Sequence, residues 1–156
     1  MKPRVYIETS IVSYLTAFPS RDLVRAAHQQ LTRDWWATGD QFDLYLSQFV
    51  LDEASAGDPS AAADRLAALR GVTLLSTTPA AEGLAAELVR VGDLPTKATV
   101  DAFHIAVAAV HGIDYLLSWN CRHIANATMR RRIETTCRER GFEPPIICTP
   151  TEFDKE

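Results

Sequence analysis

The chain has 156 residues, 47% of them hydrophobic and 23% charged, a balance that suits one folded domain, 1–156, and excludes a disordered or fibrous chain. Sixteen basic against twenty acidic side chains give a net charge of −4, which rules out a uniformly basic nucleic-acid coat but not a local basic patch. Cys121, Cys137 and Cys148 are odd in number and contain no C-x-x-C pair, so neither a disulfide framework nor a zinc knuckle is expected, and a reducing, cytoplasmic setting fits. No apolar run approaches the ~18 residues of a membrane span, and the opening segment reaches Glu8 after three apolar residues, too soon for a secretion signal.

In chain order, Val5 to Ile7 reads as a short buried strand and Ile11 to Phe18 as a short helix stopped by Pro19. Ser20 is the expected N-cap of a second helix, with Asp22 in its first turn; Leu23, Ala27, Leu31 and Trp35 predict its buried stripe. Leu44 to Leu46 is a second strand, followed by a helix from Ser47 or Gln48 to Ala56. Ser60 is expected to cap an alanine-rich helix to Arg70, and Val72 to Leu75 is a third strand. Thr78-Pro79 opens a helix to about Val91. A loop over 92–96 precedes a helix from about Lys97 to His111, then a fourth strand at Tyr115 to Leu117. A last helix spans about Asn126 to Arg140, and Ile146-Ile147 is a short final strand.

Strands separated by helices predict right-handed crossovers and a parallel sheet covered on both faces. In such folds ligands bind beyond the carboxyl ends of the strands. Four residues fall there: Glu8 directly after the first strand, Glu53 early in the helix after the second, Asp101 near the start of its helix, and Asn120 three residues past the fourth strand. Carboxylates brought together repel unless a cation or protons intervene. Mg²⁺, which takes oxygen ligands and retains waters, is the expected resolution.

The segments carrying these residues resemble the motifs of a known family. Val5-Tyr6-Ile7-Glu8-Thr9-Ser10-Ile11, Leu51-Asp52-Glu53, Asp101-Ala102-Phe103-His104-Ile105-Ala106 and Leu116-Leu117-Ser118-Trp119-Asn120 resemble, in order and spacing, the four motifs of PIN-domain ribonucleases. Many small proteins of this family are VapC-type toxins of type II toxin–antitoxin pairs. The resemblance implies a three-layer α/β/α fold with a short central parallel sheet of four to five strands. It also implies a metal-dependent endoribonuclease, often a homodimer, inhibited by a cognate antitoxin. Glu8, Glu53 and Asp101 would hold Mg²⁺ (or Mn²⁺), with Asn120 orienting a water. Thr9 or Ser10 would meet the phosphate or fix Glu8. Two positions depart from the family pattern: Glu8 replaces the usual Asp, moving its carboxylate outward by about 1.5 Å, one C–C bond, and Asn120 replaces the usual fourth acid. Three formal charges favour one cation over two. The alternative is a weak or inactive scaffold that binds RNA or protein.

His104 lies three residues after Asp101, on the same helix face, and is expected to orient a site carboxylate or touch substrate, unless it is a core histidine. The segment Cys121 to Arg140 carries six arginines against two glutamates, the one basic cluster in the chain; Arg122 is the arginine expected nearest the site and a phosphate contact. Trp119 would either stack on a base or wall off the site.

Overall fold

The computed structural model describes residues 1–153. Five short strands, β1 (Arg4–Ile7), β2 (Asp43–Ser47), β3 (Thr73–Leu75), β4 (Tyr115–Leu117) and β5 (Ile146–Cys148), form one parallel sheet in the order β3-β2-β1-β4-β5. Seven helices connect them: α1 (Thr9–Thr16), α2 (Leu23–Trp36), α3 (Gln48–Ala54), α4 (Pro59–Ala68), α5 (Pro79–Arg90), α6 (Thr99–Val110) and α7 (Ala127–Glu139). The chain moves one way across the sheet through β1, β2 and β3, then crosses back to β4 and β5. Right-handed crossovers therefore place α1–α4 on one face and α5–α7 on the other. The helix contacts follow that division, α1 packing on α2, α3 and α4, and α5 on α6 and α7.

The central strand is buried on both faces, with Val5, Tyr6 and Ile7 all at 0% exposure. Tyr6 stands opposite Tyr45 of β2 and Leu116 of β4. Connections from β1 and β4 leave in opposite directions, so a crevice opens between their carboxyl ends, the usual ligand position in an open α/β sheet. Backbone pairing continues into it, Glu8 N–H donating to Leu117 O and Ser118 N–H to Cys148 O.

Several local expectations change. The first helix starts two residues early, at Thr9, because the Glu8 carboxylate accepts from Ser10 N and caps it. Asp22, rather than Ser20, caps α2; Ser20 Oγ instead accepts the Asp22 N–H. Asp58, rather than Ser60, caps α4, with Pro59 in the first turn, where its missing N–H costs nothing. A short 3₁₀ turn (Thr96–Ala98) precedes α6. The stripe expected for α2 is rotated: Leu23 and Ala27 are exposed, and Gln29, Thr32 and Trp35 face inward. Two of these inward residues are polar but partnered. Gln29 accepts from Ser20 N and donates to Phe18 O, tying down the α1–α2 loop, and Thr32 receives the Trp119 indole N–H.

Candidate active site

Each acid of the crevice is held by its own set of donors. Glu8, only 4% exposed, accepts from the Ser10 and Ser118 hydroxyls at 2.5 and 2.6 Å and from Ser10 N at 3.1 Å. One carboxylate thus caps α1 and meets both hydroxyls. Ser118 Oγ also accepts the Asn120 N–H, and Ser10 Oγ accepts the Trp119 N–H, so the turn after β4 is tied to the turn after β1.

Glu53 Oε1 lies 2.7 Å from Thr9 Oγ1 and 2.6 Å from His104 Nε2. Burial raises the Glu53 pKa, but the hydrogen bonds made by His104 and the Thr9 hydroxyl hold it below the usual carboxylate value. Asp101 is gripped from the turn after β4: Asn120 Nδ2 donates to Oδ1 at 3.2 Å, and His123 Nδ1 lies 3.0 Å from Oδ2. Asn120 is itself fixed, its carbonyl oxygen accepting from Arg122 N and His123 N. An amide suits this bridging position, since it donates to the acid and accepts from backbone at once.

Glu8, Glu53 and His104 each present a ligand atom within 4.8 Å of one another. Asp101 belongs to the neighbouring pair with Asn120, one helical turn before His104, rather than to that tightest group. The carboxylate oxygens form a hard donor set of the kind Mg²⁺ or Mn²⁺ takes, and Glu53 Oε2 receives no hydrogen bond among the described residues, so the residues fit a divalent cation.

Of the two roles open to Thr9, Ser10 and His104, meeting substrate or fixing a site carboxylate, the hydrogen bonds show the second. Thr9 spends its hydroxyl proton on Glu53 and Ser10 on Glu8, so both fix acids. His104 is fully buried with both ring nitrogens engaged, one of them by Glu53. Arg122 is exposed beside Asn120, as expected. Trp119 walls the site: its ring stacks on His28 at 4.1 Å and its indole N–H is taken by Thr32.

A cleft of about 540 Å³ opens beside Glu8, lined also by Ser10, Tyr14, Arg25, Arg65 and Asn120 among others. Arg25 and Arg65 were not apparent from the sequence, because they come from α2 and α4, far from any motif. Nor was the pairing of His123 with Asp101 apparent, since the two are 22 residues apart. The distal half of the basic cluster is neutralised, Arg138 pairing with Glu134 and Glu143 and Arg140 with Glu87. Among the described residues, Arg122, Arg131 and Arg132 make no ion pair.

A parallel α/β sheet with carboxylates grouped in the crevice beyond β1 and β4 defines a class of open α/β domains suited to holding a divalent cation. Residues 5–125 match the PIN domain family, and the chain belongs to it. Among solved structures, VapC20 of Mycobacterium tuberculosis, described as a sarcin–ricin-loop-cleaving toxin, is similar over 79% of this chain and 95% of its own, with a TM-score of 0.60 and 22% identity. No curated protein matches the sequence. Among the described residues, no helix is long and apolar enough to cross a membrane.

Proposed function

We propose that this chain is a metal-dependent endoribonuclease, the toxin of a type II toxin–antitoxin pair, in which Glu8, Glu53 and Asp101 hold Mg²⁺ or Mn²⁺. The grouping of Glu8 with Glu53, and the pairing of Asp101 with Asn120 in the turn after β4, supports this reading. The shared fold with a toxin that cleaves the sarcin–ricin loop supports RNA as the substrate class. A bound divalent ion would make a coordinated water more acidic and stabilise charge on the scissile phosphate.

The protein's own groups do the positioning. Ser10 and Ser118 hold Glu8, Thr9 and His104 hold Glu53, and Asn120 and His123 hold Asp101, so the carboxylates are placed before any ligand arrives. Arg122 at the rim, with Arg25 in the cleft, supplies guanidinium groups for the phosphates flanking the cut, while Arg65 is held by the Ala54 and Ala56 carbonyls. A homodimer, a cognate antitoxin and a cytoplasmic setting complete the proposal.

The test is cleavage of total RNA by the purified protein with Mg²⁺ or Mn²⁺ against EDTA, with Asp101→Asn and a single-stranded DNA beside it. We expect metal-dependent RNA cutting that falls at least a hundredfold in Asp101→Asn, on the order of the loss when one charged group is removed from a preorganised site. Absence of cutting with both metals favours an RNA- or protein-binding scaffold in which Glu8 and Asn120 mark a lost activity.

A further inference from the structure

Behind Glu53 runs a buried line of hydrogen bonds. Ser47 at the end of β2, Tyr6 in β1 and His104 on α6 are all at 0% exposure. The Tyr6 hydroxyl lies 2.7 Å from Ser47 Oγ and 2.7 Å from His104 Nδ1, and His104 Nε2 lies 2.6 Å from Glu53 Oε1. The Tyr6 and His104 rings meet edge to face, with centroids 5.7 Å apart. Apolar residues of similar shape would fill this part of the core at little or no cost in stability, since a buried hydrogen bond contributes little net over such a replacement. The polar line therefore calls for a reason other than packing, and it ends on a site acid.

The proton count gives the line a direction. An ionised carboxylate only accepts, so His104 Nε2 carries the proton it shares with Glu53. In a neutral imidazole Nδ1 is then an acceptor, and the Tyr6 hydroxyl donates to it. The Tyr6 oxygen is left to accept from Ser47. Each proton is used once, and all point toward Glu53. Burial, the largest influence on Tyr6, raises its pKa well above the ordinary phenol value and keeps it an O–H donor.

We propose that Tyr6, backed by Ser47, locks His104 as its Nε2–H tautomer, and that His104 is a positioning residue that holds Glu53 through Oε1, leaves Oε2 for the cation and is not itself a ligand. The role of Oε2 rests on the metal site proposed above. Distance alone would admit His104 as a third ligand with Glu8 and Glu53. Both ring nitrogens are already committed, however, and neither offers a lone pair to the crevice.

The first arm of the test needs no metal. In metal-free protein labelled with ¹⁵N-histidine, His104 should show a protonated Nε2 and an unprotonated Nδ1, and Tyr6→Phe should shift the Nδ1 resonance. A protonated Nδ1, whether in the opposite tautomer or in a doubly protonated ring, or no change in Tyr6→Phe, overturns the proposal whatever the protein cleaves. The second arm measures Mn²⁺ binding by electron paramagnetic resonance. Tyr6→Phe, shown to be folded by circular dichroism, should bind Mn²⁺ about tenfold more weakly, the low end of the range for losing a group that orients a ligand. Adding Ser47→Ala should weaken binding no further, because Ser47 acts only through Tyr6. An affinity within twofold of the unmodified protein, or a directly bonded nitrogen signal that vanishes in His104→Gln, overturns it. If the unmodified protein binds no Mn²⁺, the metal site and the role of Oε2 both fall, while the histidine spectrum still decides whether Tyr6 governs His104.

Discussion

Ser118→Ala should be among the most damaging single-atom deletions in the chain. Ser118 is fully buried, and its hydroxyl donates to Glu8 Oε1 at 2.6 Å while accepting the Asn120 N–H at 2.9 Å. Losing a hydrogen bond to a charged group costs about 1.5–3 kcal/mol, and a backbone donor left without its partner adds to that. Glu8 keeps both donors of Ser10, which limits the loss. The expected destabilisation is therefore about 2–3 kcal/mol. For a chain of this length each kcal/mol moves the midpoint by roughly 2–4 °C, so the melting temperature should fall by about 5–10 °C. Thermal unfolding followed by circular dichroism, in EDTA so that no ion contributes, is the assay. A shift under 1 °C would refute the reasoning, because it would mean that the turn after β4 and the Glu8 carboxylate are not coupled through this hydroxyl.

Three other expectations concern parts of the chain away from the acids. Burial, the largest influence on each, pushes the Cys137 and Cys148 thiols up to about 12, while Cys121 is exposed. Both buried thiols are thus protonated at pH 8, and a disulfide reagent should titrate one thiol per native chain and three after denaturation. At Gly83, inside α5, an added Cβ would meet only the flexible end of Arg140, at 2.8 Å. Gly83→Ala should therefore gain most of its helix-propensity advantage of about 0.5–1 kcal/mol, raising the melting temperature by a few degrees; a fall would show that Arg140 cannot move aside. Leu23 is 85% exposed, so Leu23→Ser should leave the denaturant midpoint within about 0.5 kcal/mol of its original stability, whereas a residue on a buried stripe would lose several times that.

The order of strands and helices was legible because prolines, glycines and apolar runs punctuate the chain locally. Pro59 and Pro79 open helices, and Gly71, Gly112 and Gly141 follow others with positive φ, a conformation that suits glycine. Which of two nearby capping residues would be used was not legible: Ser20 and Asp22, or Asp58 and Ser60, can each do the same chemistry. The rotation of α2 was hidden for a different reason. Gln29 and Thr32 are buried because of partners on the preceding loop and on Trp119, 87 residues away, and no local periodicity carries that information. The same limit applies at the site. Glu8, Glu53, Asp101 and Asn120 stood out by their place at element ends. The roles of Tyr6, Ser47, Ser118 and His123 come from pairings across the fold, up to 110 residues apart for Ser118 and Glu8.

The central place of β1 fixes when this protein can become competent. This strand leaves the ribosome before the other four, yet one of its two neighbours, β4, and the turn that grips Glu8 and Asp101 are made more than a hundred residues later. At about 5–20 residues per second, that interval lasts on the order of 6–20 s. Throughout it the nascent chain carries Glu8 without Ser118, and then Asp101 without Asn120 or His123. The acids are thus assembled only once residues 118–123 have emerged, and a product truncated or stalled before them lacks a finished site.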